Sequence, residues 1–236
     1  MKRQLLTLIT LVAMHTSIFA WVKYDFKEGD LYYKITSSTA PYTVEVVNDN
    51  YSSYSGEIVI PATITYEGNT YAVTAIGKTA FFDCSLTSVT IPNTVISIGR
   101  SAFKDCRRLT SVIIPNSVTS INGGAFYECS GLTSVIIGNS VDTIGGYAFC
   151  GCSDLTNITI PNSVTTIGYN VFERCSNLTS VTIKATMPPT LGKLTFYNYD
   201  VPQDIYIYVP CESLEDYKAE EEWSKLDNIQ CDENKK

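Results

Sequence analysis

Hydrophobic and polar positions alternate along this chain in a pattern that returns every 23 residues over its central part. Each unit reads L-x-x-V-x-I-P-N-x-V-x-x-I-G-x-x-A-F-x-x-C-x-x. The V-x-I segment has the period of two that is typical of a strand with one buried face. The proline that follows cannot donate to a strand ladder and predicts the end of that strand. The apolar positions in register include Leu86, Leu109, Leu132, Leu155 and Leu178; Val89, Val112, Val135, Ile158 and Val181; and Phe103, Phe126, Phe149 and Phe172.

Two features of the units predict sharp changes of chain direction. Gly99, Gly145 and Gly168 occupy one repeat position, which Asn122 takes in another unit. Glycine and asparagine adopt positive φ at the lowest cost, so we expect a left-handed backbone at this position. The A-F-x-x-C segment that follows predicts one helical turn, with its alanine and phenylalanine packed inward. In the first unit, the turn-like residues Glu67–Asn69 predict a hairpin.

One such unit is too small to bury its apolar side chains, but stacked units bury them jointly. The pattern therefore predicts a repeat solenoid of about six repeats over residues 57–200. Residues 21–56 alternate like strands without the repeat and predict a β cap at the N-terminal end. Residues 201–236 predict a second cap, consisting of a strand and a short acidic helix that begins with the capping pair Ser213 and Asp216.

The first twenty residues have the three-part pattern of a secretory signal peptide. A basic head precedes an apolar run too short to span a bilayer, and we predict cleavage after Ala20. A buried N-terminal helix is the alternative, but the placement of charge fits export better. Cleavage would remove the only histidine, His15. The remaining chain could then carry neither Ser-His-Asp nor Cys-His catalysis and no metal site with a histidine ligand. We therefore expect a secreted or cell-surface protein.

Charge narrows the range of partners. Without residues 1–20, 15 basic side chains stand against 24 acidic ones, a net charge of −9. Such a chain is a poor candidate for binding nucleic acid or inserting into a membrane. The basic side chains of Arg100, Lys104, Arg107 and Arg108 share one turn and are interpreted as a solvated loop. The sequence shows no ligand spacing typical of calcium or zinc, so we predict no metal and no cofactor.

The repeats resemble the bacterial leucine-rich repeat family named after BspA, a surface protein of Gram-negative anaerobes. The resemblance rests on strands of the type "SVTIPNSVTSIG" and on the "AFxxC" turns, and it extends to the caps through "YYKITSS" and "IYVPCESLEDYKAEEEW". It implies a repeat solenoid of the leucine-rich-repeat type, mostly short β-strands with short helical turns. It also implies a secreted or surface protein, because some members are described as adhesins for host matrix proteins or other bacteria.

Five of the eight cysteines hold one repeat position and predict a buried column. Neighbouring thiols would point the same way at rung spacing, slightly too far apart for a relaxed disulfide. We expect free thiols that behave as small apolar side chains, with Cys150 outside the column and a candidate for exposure. Cys211 and Cys231 flank the predicted terminal helix and are the pair considered for a disulfide, which the sequence leaves open. The column comprises Cys84, Cys106, Cys129, Cys152 and Cys175.

The positions that alternate with the buried strand residues predict an outward surface rich in hydroxyl groups. Sheet faces of solenoids commonly bind extended partners, which makes this surface the candidate binding face. Taken singly, each residue is better explained by the preference of β-branched and hydroxyl side chains for exposed strands. The candidate residues are Thr87, Ser88, Thr90, Thr110, Ser111, Ile113, Thr133, Ser134, Ile136, Thr156, Asn157, Thr159, Thr179, Ser180 and Thr182.

These features favour a non-catalytic, monomeric binding protein at or outside the cell surface. Its expected partner is a host extracellular-matrix protein, a glycan or another bacterial surface protein. The alternative is a structural spacer or assembly component whose tyrosine-rich caps make the contacts. An enzyme that uses paired carboxylates is disfavoured, because the repeats carry almost no carboxylates on the predicted sheet face. The cap tyrosines in question are Tyr32, Tyr33, Tyr51, Tyr54 and Tyr66.

Overall fold

A computed structural model describes residues 24–49, 54–197 and 205–233. The predicted signal peptide, with His15 and the cleavage point at Ala20, lies outside the described residues. The described residues form a solenoid in which parallel strands from successive repeats lie side by side in stacked rungs. Among the described residues, no helix has the length and apolar character needed to cross a membrane.

The N-terminal cap consists of three antiparallel strands, β1 (Phe26–Glu28), β2 (Leu31–Ser37) and β3 (Thr43–Val47). Alternate residues of β2 and β3 are buried, as the pattern of the sequence predicts. The cap continues directly into the solenoid, because β3 pairs in parallel with the first long strand of the repeats.

Each repeat contributes one strand to each of two sides of the solenoid, and an inserted hairpin lies in the first repeat. In chain order the strands are β4 (Ser55–Val59), β5 (Thr63–Tyr66), β6 (Asn69–Ile76), β7 (Ser85–Thr90), β8 (Ser97–Ile98), β9 (Ser111–Ile113), β10 (Ser120–Ile121), β11 (Ser134–Ile136), β12 (Thr143–Ile144), β13 (Asn157–Ile160), β14 (Thr166–Ile167), β15 (Ser180–Ile183) and β16 (Thr190–Leu191).

The two sides differ in strand length but follow the same rule of register. Strands β4, β7, β9, β11, β13 and β15 form the first side, and β3, β6, β8, β10, β12, β14 and β16 form the second. Where neighbouring strands pair, each residue pairs with its equivalent in the next repeat, as Ile113 does with Ile136. On the first side, β7 and β9 lie side by side without pairing, and so do β11 and β13. The hairpin predicted at Glu67–Asn69 is confirmed: β5 and β6 are antiparallel, and Glu67 and Gly68 both have positive φ.

The core is a set of continuous columns that run through all the rungs. Phe81, Phe103, Phe126, Phe149 and Phe172 are buried and stacked, with ring centroids 5.1, 5.1, 5.4 and 5.9 Å apart along the column. The repeated leucine, valine and isoleucine positions are buried beside them. No single repeat could exclude water from such a column, which is why the fold requires the stack.

The predicted helical turn is instead a run of hydrogen-bonded turns. Left-handed residues interrupt it, for example Ser101 with φ 55° and Asp105 with φ 63°. Ala102 and Phe103 pack inward as expected. The amide of Phe103 donates to the carbonyl oxygen of Ala125 at 2.7 Å, so these turns are bonded to the next rung rather than along a helix.

The repeat glycine does not have the positive φ predicted for it. The left-handed residue lies two positions later, for instance Asn170 with φ 55°, two residues after Gly168. Glycine is favoured because rungs approach closely: a Cβ on Gly168 would lie 2.3 Å from the amide nitrogen of Gly146. Asn122 stands in this position with its Nδ2 atom donating to the carbonyl oxygen of Ile98 at 2.9 Å.

The C-terminal cap closes the first side with two further strands and a short helical segment. Its elements are β17 (Tyr206–Val209), a 3-10 helix (Cys211–Ser213), α1 (Leu214–Ala219), a 3-10 helix (Trp223–Lys225) and β18 (Ile229–Cys231). Strand β17 pairs with β15, and β18 pairs with β17. A disulfide joins Cys211 to Cys231, whose Cα atoms lie 4.5 Å apart.

The acidic helix predicted for this cap is shorter than its sequence pattern. It ends before Glu220, whose backbone is extended, and the buried Trp223 follows in a separate turn. Ser213 makes no side-chain capping hydrogen bond, so the predicted capping pair with Asp216 does not form. The segment is instead fixed to the solenoid by Trp223, whose indole Nε1 donates to the carbonyl oxygen of Pro189 at 2.7 Å.

Candidate binding face

The outward side chains of β4, β7, β9, β11, β13, β15 and β17 form one continuous surface, which we call the sheet face. It contains two parallel columns, because alternate strand residues point outward and equivalent residues are in register. The first column comprises Glu57, Ser88, Ser111, Ser134, Asn157, Ser180 and Tyr206. The second comprises Val59, Thr90, Ile113, Ile136, Thr159, Thr182 and Tyr208.

None of the fifteen candidate residues is buried. Thr87, Ser88, Ser180 and Thr182 are half-buried, and the other eleven are exposed. Ten of the fifteen lie in the two columns defined above, where the structure brings them together. The remaining five form a third column at the edge of the strands, Thr87, Thr110, Thr133, Thr156 and Thr179.

Hydroxyl groups of the third column serve the fold. The Oγ1 atom of Thr133 donates to the carbonyl oxygen of Thr110 at 3.0 Å. Thr179 makes the same bond to Thr156, also at 3.0 Å. These two hydroxyl groups donate hydrogen bonds between rungs. The third column therefore has fewer hydroxyl donors available to a partner than its sequence suggests.

An apolar ridge runs along the second column. Val59 is 69% exposed, Ile113 is 63% exposed and Ile136 is 56% exposed. Ile113 and Ile136 are register partners on adjacent strands, and Thr90 separates them from Val59. Grouped apolar side chains on a surface mark interaction sites more often than single ones do.

The sheet face is longer than the candidate residues predicted from the sequence. At one end β4 adds Glu57 and Val59, and at the other β17 adds Tyr206 and Tyr208. The signal for both strands was present, since "EIVIP" and "IYIYVP" repeat the alternation and the terminal proline of the V-x-I-P units. A strand was predicted within residues 201–236 and the repeats were predicted to start at residue 57, but the outward side chains of β4 and β17 were not among the candidate residues.

The face is almost free of charge. Within the described part of the chain, Glu57 is the single charged side chain in the first and second columns. Binding there would depend on apolar contact and neutral hydrogen bonds, and would respond little to ionic strength. This separates the sheet face from sites that attract nucleic acid or other polyanions.

The cysteine column lies behind the face and is inert. All five thiols are buried, and each Sγ of Cys106, Cys129 and Cys175 donates to a phenylalanine carbonyl oxygen of the preceding rung at 3.0 to 3.1 Å. Burial raises the pKa of the Cys106 thiol to about 12. The same cause raises the pKa values of Cys129 and Cys152 well above the ordinary thiol value. The thiolate that reactive cysteines need is therefore suppressed.

Cys150 is not at the surface, which its position in the sequence had left open. It is 2% exposed, and its Sγ lies 4.0 Å from Oε2 of Glu173. Burial raises its pKa to about 12, and the nearby Glu173 carboxylate acts in the same direction.

None of the cap tyrosines named from the sequence that the structure describes is fully exposed. Tyr33 and Tyr54 are buried, while Tyr32 and Tyr66 are half-buried. Tyr66 stacks on Phe26 with ring centroids 4.0 Å apart. Tyr51 lies outside the described residues. In the described ranges, no group of three or more cysteine, aspartate, glutamate or histidine side chains is arranged to hold a metal ion.

Parallel strands on two sides of a stacked repeat, connected by tight turns and closed by a cap at each end, define a leucine-rich repeat solenoid. Six copies of the BspA type leucine rich repeat region match residues 74–202, which is more than half of the chain. The chain belongs to the BspA-type leucine-rich repeat family. The family resemblance seen in the repeats and the solenoid fold are both confirmed.

Solved structures with the same fold come from several bacteria. A leucine-rich repeat protein from Bacteroides ovatus ATCC 8483 is 30% identical with a TM-score of 0.62; the match covers 81% of this chain and 56% of that protein. This chain thus spans little more than half the length of that relative. TpLRR of T. pallidum is 22% identical with a TM-score of 0.57, covering 77% of this chain and 87% of the other, a likeness of fold alone. No protein of curated function matches the sequence.

Proposed function

We propose that this protein is a non-catalytic binding protein, secreted or displayed at the cell surface, whose sheet face holds an extended segment of a partner protein. The observation that carries the proposal is the sheet face itself, a long, neutral and outward surface with an apolar ridge at Val59, Ile113 and Ile136. Export is supported by the signal-peptide pattern of residues 1–20. The partner class we favour is a host extracellular-matrix protein or another bacterial surface protein.

Binding would rely on a surface that is ordered before the partner arrives. The side chains of the face stand on strands that are paired rung to rung, so little conformational entropy is lost when a partner docks. Ile113 and Ile136 would supply the central apolar contact, and the serine column with Asn157 would supply hydrogen bonds around it. A protein segment fits this chemistry better than a glycan does, because the middle of the face carries aliphatic rather than aromatic side chains.

The test compares two double variants of the apolar ridge. Ile113→Glu/Ile136→Glu places two carboxylates at its centre, whereas Ile113→Thr/Ile136→Thr reproduces the threonines that the same column already has at Thr159 and Thr182. Binding of the purified chain to immobilised matrix proteins and bacterial surface proteins is measured by biolayer interferometry. We expect the glutamate variant to bind at least about tenfold more weakly than wild type, a loss of about 1.4 kcal/mol, and the threonine variant to lose less.

Folding of both variants is checked by their thermal unfolding midpoints, which should stay close to that of wild type because the two positions are exposed. Equal binding by the glutamate variant and wild type would reject the sheet face as the site. A wild-type chain that binds no protein on such an array would favour the structural role.

A further inference from the structure

A second surface, on the turn side of the solenoid, carries a row of aromatic rings that are exposed or half-buried. We call Phe82, Tyr127, Tyr147 and Tyr169 the aromatic strip; they lie on four of five consecutive turns. The ring centroids of Tyr127 and Tyr147 are 6.3 Å apart, and those of Tyr147 and Tyr169 are 5.0 Å apart, both edge to face. Lys104 fills the rung between Phe82 and Tyr127, with its Nζ atom 5.0 and 5.2 Å from the two ring centres.

The strip is fixed by the backbone beneath it. A Cβ on Gly146 would lie 2.7 Å from Cε1 of Tyr169, so the Tyr169 ring rests directly on this glycine. Gly124, which has positive φ, lies under the start of the Tyr127 side chain. The rings nevertheless face solvent, because Tyr169 is 54% exposed and Tyr147 is 37% exposed. The rings therefore form an ordered aromatic surface exposed to solvent and are not part of the core.

Paired charges and an amide border the strip. Arg174 forms an ion pair with Glu128 across the intervening rung, where Gly151 leaves room for the Glu128 carboxylate. The Nδ2 atom of Asn170 donates to Oε2 of Glu173 at 2.6 Å. Asn170 is only 8% exposed, so its amide holds the Glu173 carboxylate in place rather than facing a partner. The groups that the border offers are the carboxylates of Glu128 and Glu173 and the guanidinium of Arg174, whose charges are largely neutralised within the protein. An anionic partner would have to compete with Glu128 for the Arg174 guanidinium.

The backbone of the strip does not favour an added peptide strand. The amides of Tyr147, Glu128 and Gly151 donate to carbonyl oxygens of the next rung at 2.9, 2.7 and 2.8 Å. A bound peptide could not use these groups to pair as a strand. The strip is also one side chain wide, which is narrow for a folded partner that must cover about 800 Å² of this protein.

We propose that the aromatic strip binds a neutral glycan chain. Sugar rings present apolar C–H faces that pack on aromatic rings, and hydroxyl groups at their edges that hydrogen-bond to amides, carboxylates and guanidinium groups. The strip places both kinds of group along one line of about 20 Å, at ~4.8 Å for each rung. This site is separate from the sheet face, so the two proposals succeed or fail independently.

The test titrates the full mature chain with neutral glucan, galactan and mannan oligosaccharides that are long enough to cover the strip. Binding is followed by isothermal titration calorimetry and by tyrosine fluorescence. We expect saturable binding of at least one of these glycans. Tyr147→Ala/Tyr169→Ala should weaken it by about tenfold or more, while Tyr169→Phe, which keeps the ring, should retain it.

Two further variants test whether the glycan binds at the strip itself. Gly146→Ala should weaken glycan binding while leaving the chain folded, because the new methyl group displaces only the exposed Tyr169 ring. Ile113→Glu/Ile136→Glu on the sheet face should leave glycan binding unchanged. Binding of none of the three glycans, or equal binding by wild type and the folded Tyr147→Ala/Tyr169→Ala variant, would overturn the proposal.

Discussion

Single residues in this fold are constrained by the closeness of the rungs. Most turns open with a glycine that faces the backbone of the previous rung, and Asn122 is the exception, with its side-chain amide bonded to the carbonyl oxygen of Ile98. The left-handed positions of the same turns tolerate serine, aspartate, glutamate, tyrosine and arginine. Sequence reasoning reversed these roles, because glycine is the usual signal for positive φ and close approach leaves no separate mark in one sequence.

The close approach of the rungs predicts different effects for two neighbouring glycine substitutions. In Gly145→Ala the new Cβ would lie 2.5 Å from the amide nitrogen of Gly123, so the rungs must move apart. We expect a loss of about 2–3 kcal/mol in the free energy of unfolding, measured by urea denaturation. The matched control is Gly123→Ala, whose Cβ would lie 3.3 Å from the carbonyl oxygen of Gly146. A loss as large in the control as in Gly145→Ala would contradict this account.

At the scale of elements, the alternation of apolar and polar residues was sufficient to predict the strands but not the conformation of the turns. The V-x-I pattern predicted the first-side strands β7, β9, β11, β13 and β15, and with them the outward candidate residues. The turns could not be predicted, because their left-handed residues share no residue type. Strand β18 has three residues and no pattern of its own, and α1 stops early because Trp223 turns inward.

The aromatic strip was not predictable from the repeat for a related reason. Tyr127, Tyr147 and Tyr169 occupy three different repeat positions, so they form no column in the aligned units. Their rings nevertheless meet on the surface, because the three side chains start from different positions of their turns and lean toward one another. A repeat pattern identifies residues at equivalent positions, whereas the tyrosines of this site are at non-equivalent positions.

The cysteine column predicts how stability depends on alkaline pH. Burial raises the thiol pKa values in the folded state, to about 12 for Cys106, while thiols of the unfolded chain ionise near the ordinary value of 9.0. The unfolded state therefore binds fewer protons above pH 9, and the free energy of unfolding falls as pH rises from there toward 12. Below pH 9 these thiols are protonated in both states and have no such effect.

Urea denaturation at several values between pH 8 and pH 11 measures this slope. In Cys106→Ala one thiol is removed, so the fall should be shallower by up to about 1.4 kcal/mol for each pH unit. Cys211 and Cys231 do not contribute, because they are joined in a disulfide. Identical slopes for the variant and wild type would show that the Cys106 thiol is not protected by burial.

At the scale of the whole molecule, the stack turns small repeated units into long surfaces. The sheet face is regular, neutral and aliphatic at its centre, and the aromatic strip is irregular and bordered by paired charges. Both are ordered by the same rung-to-rung hydrogen bonds. The caps close the ends, with the disulfide and the buried Trp223 fixing the C-terminal one. The architecture supports binding by preformed surfaces rather than by a closing pocket.

The most direct test of the central claim is site-specific photo-crosslinking to a protein partner found on the binding array. A photoreactive phenylalanine analogue is placed at Thr156, in the third column at the edge of the sheet face, or at Thr119 on the second side, and both residues are exposed. The account predicts a covalent adduct from Thr156 and none from Thr119. An adduct from Thr119, or none from Thr156 while binding persists, would contradict it.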